Sequence, residues 1–271
     1  QMVDTGNLIN YVPESVASNI DASDRVPLVQ QYIDKLFIFN TVGSNVPAIT
    51  NVWQLTEPAM KGRVFFKSPE TEKVNENFLI MLTNKTWADK LAKAYKNLYG
   101  KDIQLGSYKN AGYKWIAEFL HNCSFGNTDT TIAEQISNAE ASGKIGLFVL
   151  SKLRSKTVRT ENLEVASYYA DGKNTTVDPF AGFMYPLYAQ IVKTTTMPYT
   201  SMLFVEHLVT AAGYAPWAKN IGAYSSNTSI PVNKGDQPLS YWKTRLVMED
   251  PEYINEAYAD VFEFISKNLT K

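Results

Sequence analysis

The sequence predicts an α/β fold built on a largely parallel sheet, and three observations carry that expectation. Residues 144–150, Lys-Ile-Gly-Leu-Phe-Val-Leu, form a continuous apolar run bounded by glycine and serine, the pattern of a strand buried on both faces. Val64, Phe65 and Phe66 are strand formers that run straight into a helix signal at Ser68-Pro69-Glu70. Strand-like and helix-like segments then alternate along most of the chain, which argues for helices packed on a sheet.

Residues 6–13 read as a turn followed by a short extended piece that ends at Pro13. Residues 28–40 close on the apolar run Leu36-Phe-Ile-Phe39 and read as a strand, with a loop over 40–50 and a short helical turn from Trp53 to Pro58. In the stretch 61–82, Ser68 offers an N-cap oxygen, Pro69 suits the first helical position and Glu70 and Glu72 suit a positive helix end, so a helix is expected from Ser68 to Leu82. Thr86 is expected to cap a second helix closed by Gly100, in which Trp87, Leu91, Ala94, Tyr95 and Leu98 recur at helical spacing. A short amphipathic helix over 113–120, a polar loop over 122–128 and a helix from Asp129 follow. Thr131 with Gln135, or Asp129 itself, is expected to cap that helix, which ends at Ser142-Gly143.

Beyond the 144–150 strand, residues 163–169 read as another strand and residues 180–192 as an extended aromatic segment. A helix is expected over 198–212, with Met202, Leu203, Val205, Leu208 and Val209 inward and Gly213 as its stop. The tail is helical from about Pro238, and Pro251 opens a last helix ending near Asn268. No internal repeat or low-complexity segment occurs.

The chain has 271 residues, 45% of them hydrophobic, enough for one large domain or two lobes. Its 26 Lys and Arg against 27 Asp and Glu leave no field that would favour nucleic acid or an anionic membrane. No run approaches the roughly 18–20 apolar residues of a membrane helix, and residues 1–22 lack a signal-peptide pattern. The expectation is a soluble protein from which any export signal has been removed. A single cysteine, Cys123, excludes an internal disulfide and a cysteine metal cluster. The 16 tyrosines and 5 tryptophans suit either a ligand cleft or a core.

Catalytic signatures fail. There is no nucleophile elbow, zinc-protease helix, phosphate-binding loop or dinucleotide fingerprint. His207 is expected at the surface, His121 has no companion ligands for a metal, and Glu70 and Glu72 are explained by a helix start. What remains is a set of polar and aromatic groups at strand ends and helix starts: Ser68, Glu70, Thr71, Asn75, Asn127, Thr128, Lys152, Arg154, Tyr168, Phe183 and Tyr185. Such a set describes a binding site rather than a catalytic one. Lys152 and Arg154 are the basic members of this set and Tyr168, Phe183 and Tyr185 the aromatic ones.

The succession Trp53-Gln-Leu-Thr-Glu-Pro58 with Lys61-Gly-Arg-Val64, the 144–150 strand after a Ser-Gly stop, and Ala181-Gly-Phe-Met-Tyr-Pro186 resembles the family 1 extracellular solute-binding proteins of bacterial ABC importers, the group that includes ferric-iron binders. The likeness continues through Ser201-Met-Leu-Phe204 to Gly222-Ala-Tyr-Ser-Ser-Asn227 and covers nearly the whole chain. It implies the two-lobe periplasmic-binding-protein fold (class II), with a solute held in an interlobe cleft and delivered to permease subunits in the membrane. By this resemblance, residues 1–44 are part of lobe 1 and the outgoing hinge, 45–163 are lobe 2, and 164–271 are the returning hinge, the rest of lobe 1 and the C-terminal helices. Family members carry further lobe 1 elements ahead of the point matching residue 1, so lobe 1 is expected to be incomplete.

The implied protein is not an enzyme and needs no cofactor. It sits in the periplasm or outside the cell, near the membrane only through the permease or a lipid anchor. The family's iron binders carry adjacent tyrosines past the strand matching 145–150, where this chain has Val149-Leu-Ser-Lys-Leu-Arg154, so a small polar, anionic solute is expected rather than iron held by that pair. Where those binders hold an anion on small residues, this chain has Glu70-Thr-Glu-Lys73. The alternatives are a ferric-iron or other metal-ion carrier of an ABC importer and a motif-poor α/β enzyme.

Overall fold

In the computed structural model, residues 5–43, 49–167 and 176–269 are described. In chain order the regular elements are β1 (Leu8–Ile9), α1 (Glu14–Ala17), β2 (Val29–Asn40), β3 (Val64–Lys67), α2 (Lys73–Leu82), α3 (Lys85–Tyr99), α4 (Ala111–Asn122), β4 (Cys123–Gly126), α5 (Asp129–Ser137), β5 (Ile145–Val149), β6 (Leu163–Val165), β7 (Gly182–Tyr188), β8 (Ile191–Val192), α6 (Pro198–Leu208), α7 (Ala211–Tyr214), β9 (Ala223–Ser225), α8 (Leu239–Lys243), β10 (Val247–Met248) and α9 (Pro251–Leu269). Short 3-10 turns lie at Val52–Thr56, Pro58–Met60 and Leu150–Arg154, among others.

The chain divides into two compact units. The first comprises Gln1–Asp34 and Tyr185–Leu239, and the second Lys35–Met184 and Ser240–Lys271. The chain crosses between them inside β2, inside β7 and at the start of α8.

In the second unit the strand order is β10-β7-β2-β5-β3-β4, with β6 also on β2. β5, β3 and β4 are mutually parallel, as are β7 and β10. β2 is antiparallel to both β5 and β6. The sheet is therefore mixed, parallel where helices connect its strands. β5 is buried along its whole length, as its apolar run predicts.

An aromatic core covers this sheet. Phe78 of α2 stacks on Phe183 at 4.7 Å, Trp115 of α4 stacks on Phe119 at 4.4 Å, and Phe180 meets both Phe78 and Trp115 edge-on. Offset and edge-on pairs of this kind add to the area that the rings bury. α9 returns to the second unit and packs on α2 and α4, where the Thr83 and Tyr253 hydroxyls lie 2.8 Å apart.

The first unit has a smaller core of Val16, Ile20, Leu28, Ala189, Ile191, Val205 and Val209. Within it β9 pairs antiparallel with Gln31–Ile33 of β2, and β1 with β8.

Five local expectations are corrected. α2 begins at Lys73 rather than Ser68, because Thr71 N–H and Glu72 N–H both return to the Ser68 carbonyl and close a turn there first. Residues 123–126 are a strand, not loop; parallel pairing with β3 supplies the hydrogen bonds that this short, polar piece cannot announce by itself. α5 ends at Ser137, ahead of Ser142-Gly143, and its cap is Thr128, whose side chain accepts from Thr131 N–H. The helix over 198–212 is two helices, α6 and α7, broken where the Thr210 side chain caps the second, and Leu203 points outward with 67% of its surface exposed. Similarly, Asn84 rather than Thr86 caps α3, while Gly100 closes it in the left-handed conformation (φ 68°) as its position implies.

Candidate functional site

The parallel trio β5-β3-β4 brings three separate stretches of sequence to one edge of the second unit. Lys67 pairs with Gly126, Phe66 with Leu147, and Val149 with Lys35 of β2. The carboxyl ends of all three strands therefore lie side by side. β3 runs through a turn into α2, β4 directly into α5, and β5 into the 3-10 turn Leu150–Arg154. The space beyond such strand ends is where open α/β sheets bind ligands, since helix N-termini and loop groups face it.

Eight of the eleven candidate residues lie on these three connections. Ser68, Glu70 and Thr71 form the turn after β3, in which Ser68 Oγ accepts from Glu70 N–H and Thr71 Oγ1 donates to the Ser68 carbonyl. Asn75 is fully buried in the first turn of α2. Asn127 and Thr128 are exposed at the start of α5, and Lys152 is half-buried and Arg154 exposed after β5. The other three fall elsewhere. Phe183 is sealed in the aromatic core at 1% exposure, Tyr185 is half-buried on β7 in the first unit, and Tyr168 lies outside the described residues.

The centre of this edge is a residue that sequence reasoning missed. Lys35 is completely buried, and its Nζ reaches Asn75 Oδ1 at 3.1 Å, Glu72 Oε1 at 3.4 Å and Asp129 Oδ1 at 3.4 Å. Its three N–H bonds thus have three acceptors. Lys67 pairs with the other oxygen of Glu72, and Asn75 Nδ2 donates to the Lys67 carbonyl at 2.8 Å. Glu72 stands at the N-cap position of α2 and Asp129 is the first residue of α5. Burial works against the charge on Glu72, but the Lys67 hydrogen bond and the Lys35 charge hold its carboxyl below the usual range. The signal that could have found Lys35 is the Asp34-Lys35 pair interrupting an otherwise apolar strand, since a charge in such a place is rare unless paired.

Among the described residues, no group of three or more His, Cys, Asp or Glu could hold a metal ion. His121 is exposed, its Nε2 3.1 Å from Lys61 Nζ. Burial pushes the Cys123 thiol well above its ordinary range, away from nucleophilic reactivity. No helix among the described residues is long and apolar enough to cross a membrane.

No protein-family model matches this sequence, and no curated protein is similar to it in sequence. Solved structures do match. A Bordetella ferric binding protein is similar at 14% identity with a TM-score of 0.64, over 98% of this chain and 78% of that one. The periplasmic binding protein AfuA from Actinobacillus pleuropneumoniae, with fructose-6-phosphate bound, is similar at 16% identity and a TM-score of 0.63, over 98% and 77%. An ABC transporter structure from Clostridium perfringens is similar at 9% identity and a TM-score of 0.61, over 98% and 79%. These matches are to binding and transport proteins, and none is described as an enzyme. At such identities the likeness is one of architecture: the chain has the periplasmic-binding-protein-like fold.

Proposed function

We propose that this chain is the solute-binding component of an ABC importer, which captures a small polar, anionic solute outside the cytoplasmic membrane and delivers it to a permease. The observation that carries this reading is the meeting of three strand ends and two helix starts at one edge of the second unit, with Ser68, Thr71, Asn127 and Thr128 as hydrogen-bonding groups. Lys152 and Arg154, on the turn after β5, supply positive charge for an anionic group. The fold is shared with proteins described as binding iron or a sugar phosphate. It supports a transport role without choosing between such ligands. The periplasm or cell exterior follows from that role.

Thermal shift and calorimetry against sugar phosphates, phosphonates, polyamines and ferric complexes test the proposal. An anionic organic solute at a hundred times its Kd should stabilise the protein by about 2.7 kcal/mol, and Lys152→Ala with Arg154→Ala should weaken that binding at least about tenfold. A response to ferric complexes alone would overturn the anionic-solute assignment. Chemical turnover of any panel member would overturn the binding role.

A further inference from the structure

Alternation along β2 puts Tyr32 and Asp34 on one face and Gln31, Ile33 and Lys35 on the other. Tyr32 is satisfied, its hydroxyl donating to Asp24 Oδ1 at 2.7 Å. Asp34 is not. It has no exposed surface, and neither carboxyl oxygen has a hydrogen-bond partner among the described residues. Just ahead of β9, the Gly222 carbonyl accepts from Asp34 N–H at 3.0 Å, while Gly222 N–H donates to Asp236 Oδ2 at 2.7 Å. Gly222 thus brings the Asp236 carboxylate to the part of β2 that carries Asp34. The third group is Tyr214 at the end of α7, only 2% exposed, whose hydroxyl also has no partner among the described residues. Burial, and after it the Asp236 carboxylate, raises both the Asp34 carboxyl and the Tyr214 hydroxyl above their ordinary ranges, so the three groups share one neighbourhood.

An ionised carboxylate closed off from water with nothing bound to it is costly. A proton on Asp34 would fill one lone pair and leave the remaining acceptor sites and the Tyr214 oxygen as they are. Asp236 is placed differently, half-buried and accepting from the Gly222 and Gln237 N–H groups, so its charge is already met in part. One positive charge is therefore what the group lacks. Asp34, Asp236 and Tyr214 offer oxygen only, which suits a hard cation rather than a transition metal. Two carboxylates and one phenol fall short of the about 6–8 oxygens that calcium takes, and magnesium keeps several waters that a closed site does not admit.

We propose that Asp34, Tyr214 and Asp236 form an internal site for one alkali-metal cation, sodium or potassium, which ties β2 to α7 and to the loop carrying Asp236. The ion supplies the counter-charge for Asp34 and enters from the side of the half-buried Asp236. The site uses none of the residues assigned to the solute edge, so it stands or falls separately from the transport reading.

The test is thermal and urea unfolding of the full chain in sodium chloride, potassium chloride or choline chloride at one total salt concentration. Sodium or potassium should stabilise the wild-type protein relative to choline, and above the Kd each tenfold increase in the bound cation should raise the folding constant about tenfold. Asp34→Asn, of the same shape but without the charge, should lose this dependence. Tyr214→Phe removes one oxygen and should weaken the cation at least about threefold. Replacing choline by sodium or potassium should also shift the backbone amides of Asp34, Tyr214 and Gly222 in NMR spectra.

Equal wild-type stability in all three salts would overturn the proposal and leave a proton or a water as the partner of Asp34. An undiminished cation response in Asp34→Asn would place the ion elsewhere on the molecule. Stabilisation by calcium chloride alone would refute the single charge. Should Asp34→Asn fail to fold, the wild-type amides decide: cation-dependent shifts that spare Asp34, Tyr214 and Gly222 contradict the site.

Discussion

Glu249 shows how a single carboxyl can set the pH response of the second unit. It stands between β10 and α9, where burial pushes its pKa up to about 7 despite a 3.0 Å hydrogen bond from Asn77 Nδ2. Because the folded value lies above the ordinary one, the protonated form is favoured by folding. Its stabilising effect is complete below the unfolded pKa and is lost as pH rises through about 7. Stability should therefore fall between pH 5 and pH 8, and Glu249→Gln, which keeps an acceptor for Asn77, should remove that part of the slope. At pH 8 the variant should be more stable than the wild type by about 1–3 kcal/mol in urea unfolding; equal slopes in both proteins would contradict the assignment. At this scale the sequence was partly legible. Asn75 could be singled out as a polar residue in a helical first turn, but its partner Lys35 lies 40 residues away, and Lys35 reaches Asp129 across 94 residues. No local pattern encodes such separations.

Among the elements, the helices α3 and α4 were legible from their hydrophobic spacing although their caps were not, and the strands made by pairing were not legible. α3 and α4 carry asparagine caps, and Asn110 Oδ1 accepts from both Gly112 N–H at 2.9 Å and Tyr113 N–H at 3.2 Å. Asn110→Ala should cost about 1 kcal/mol, measured by denaturant midpoint. β7 depends on Gly182, whose φ is 151° and whose added Cβ would stand 2.1 Å from the Lys35 carbonyl oxygen. Gly182→Ala must push β7 off β2 and should destabilise by more than about 3 kcal/mol; a change under about 1 kcal/mol would show that the strands separate easily. β4 is the opposite case. Cys123-Ser-Phe-Gly has no strand signature of its own, and it exists because β3 offers a parallel partner from Val64 to Lys67. The start of α2 was misplaced for a related reason: Ser68, Pro69 and Glu70 do cap, but they cap a turn that precedes the helix.

For the whole molecule, the two units differ in how completely their interiors are satisfied. The second unit has the aromatic core and the fully paired strands β3 and β5. The first buries Gln31, Asp34 and Tyr214 with side-chain polar atoms that find no partner among the described residues, where the second has Glu76 Oε1. Burial, reinforced by the Asp236 carboxylate, pushes Asp34 well above the usual carboxylate range. Unpaired buried groups cost about 1–3 kcal/mol each. Hydrogen exchange should accordingly be slowest at amides of β3 and β5 and faster at β8 and β9; the reverse order would mean that the first unit is the more stable. By itself the sequence determined the α/β class, a fully buried strand within 144–150, a helix closed by Gly100, a last helix opened by Pro251, and the failure of the common catalytic motifs, because hydrophobic period, helix stops and motif spacing are local properties. Only the tertiary structure decided that the ends of β3, β4 and β5 share one edge and that a buried lysine holds its carboxylates. Strand order and ion pairing are set by contacts between distant segments, whose free energy exists only once the chain has folded.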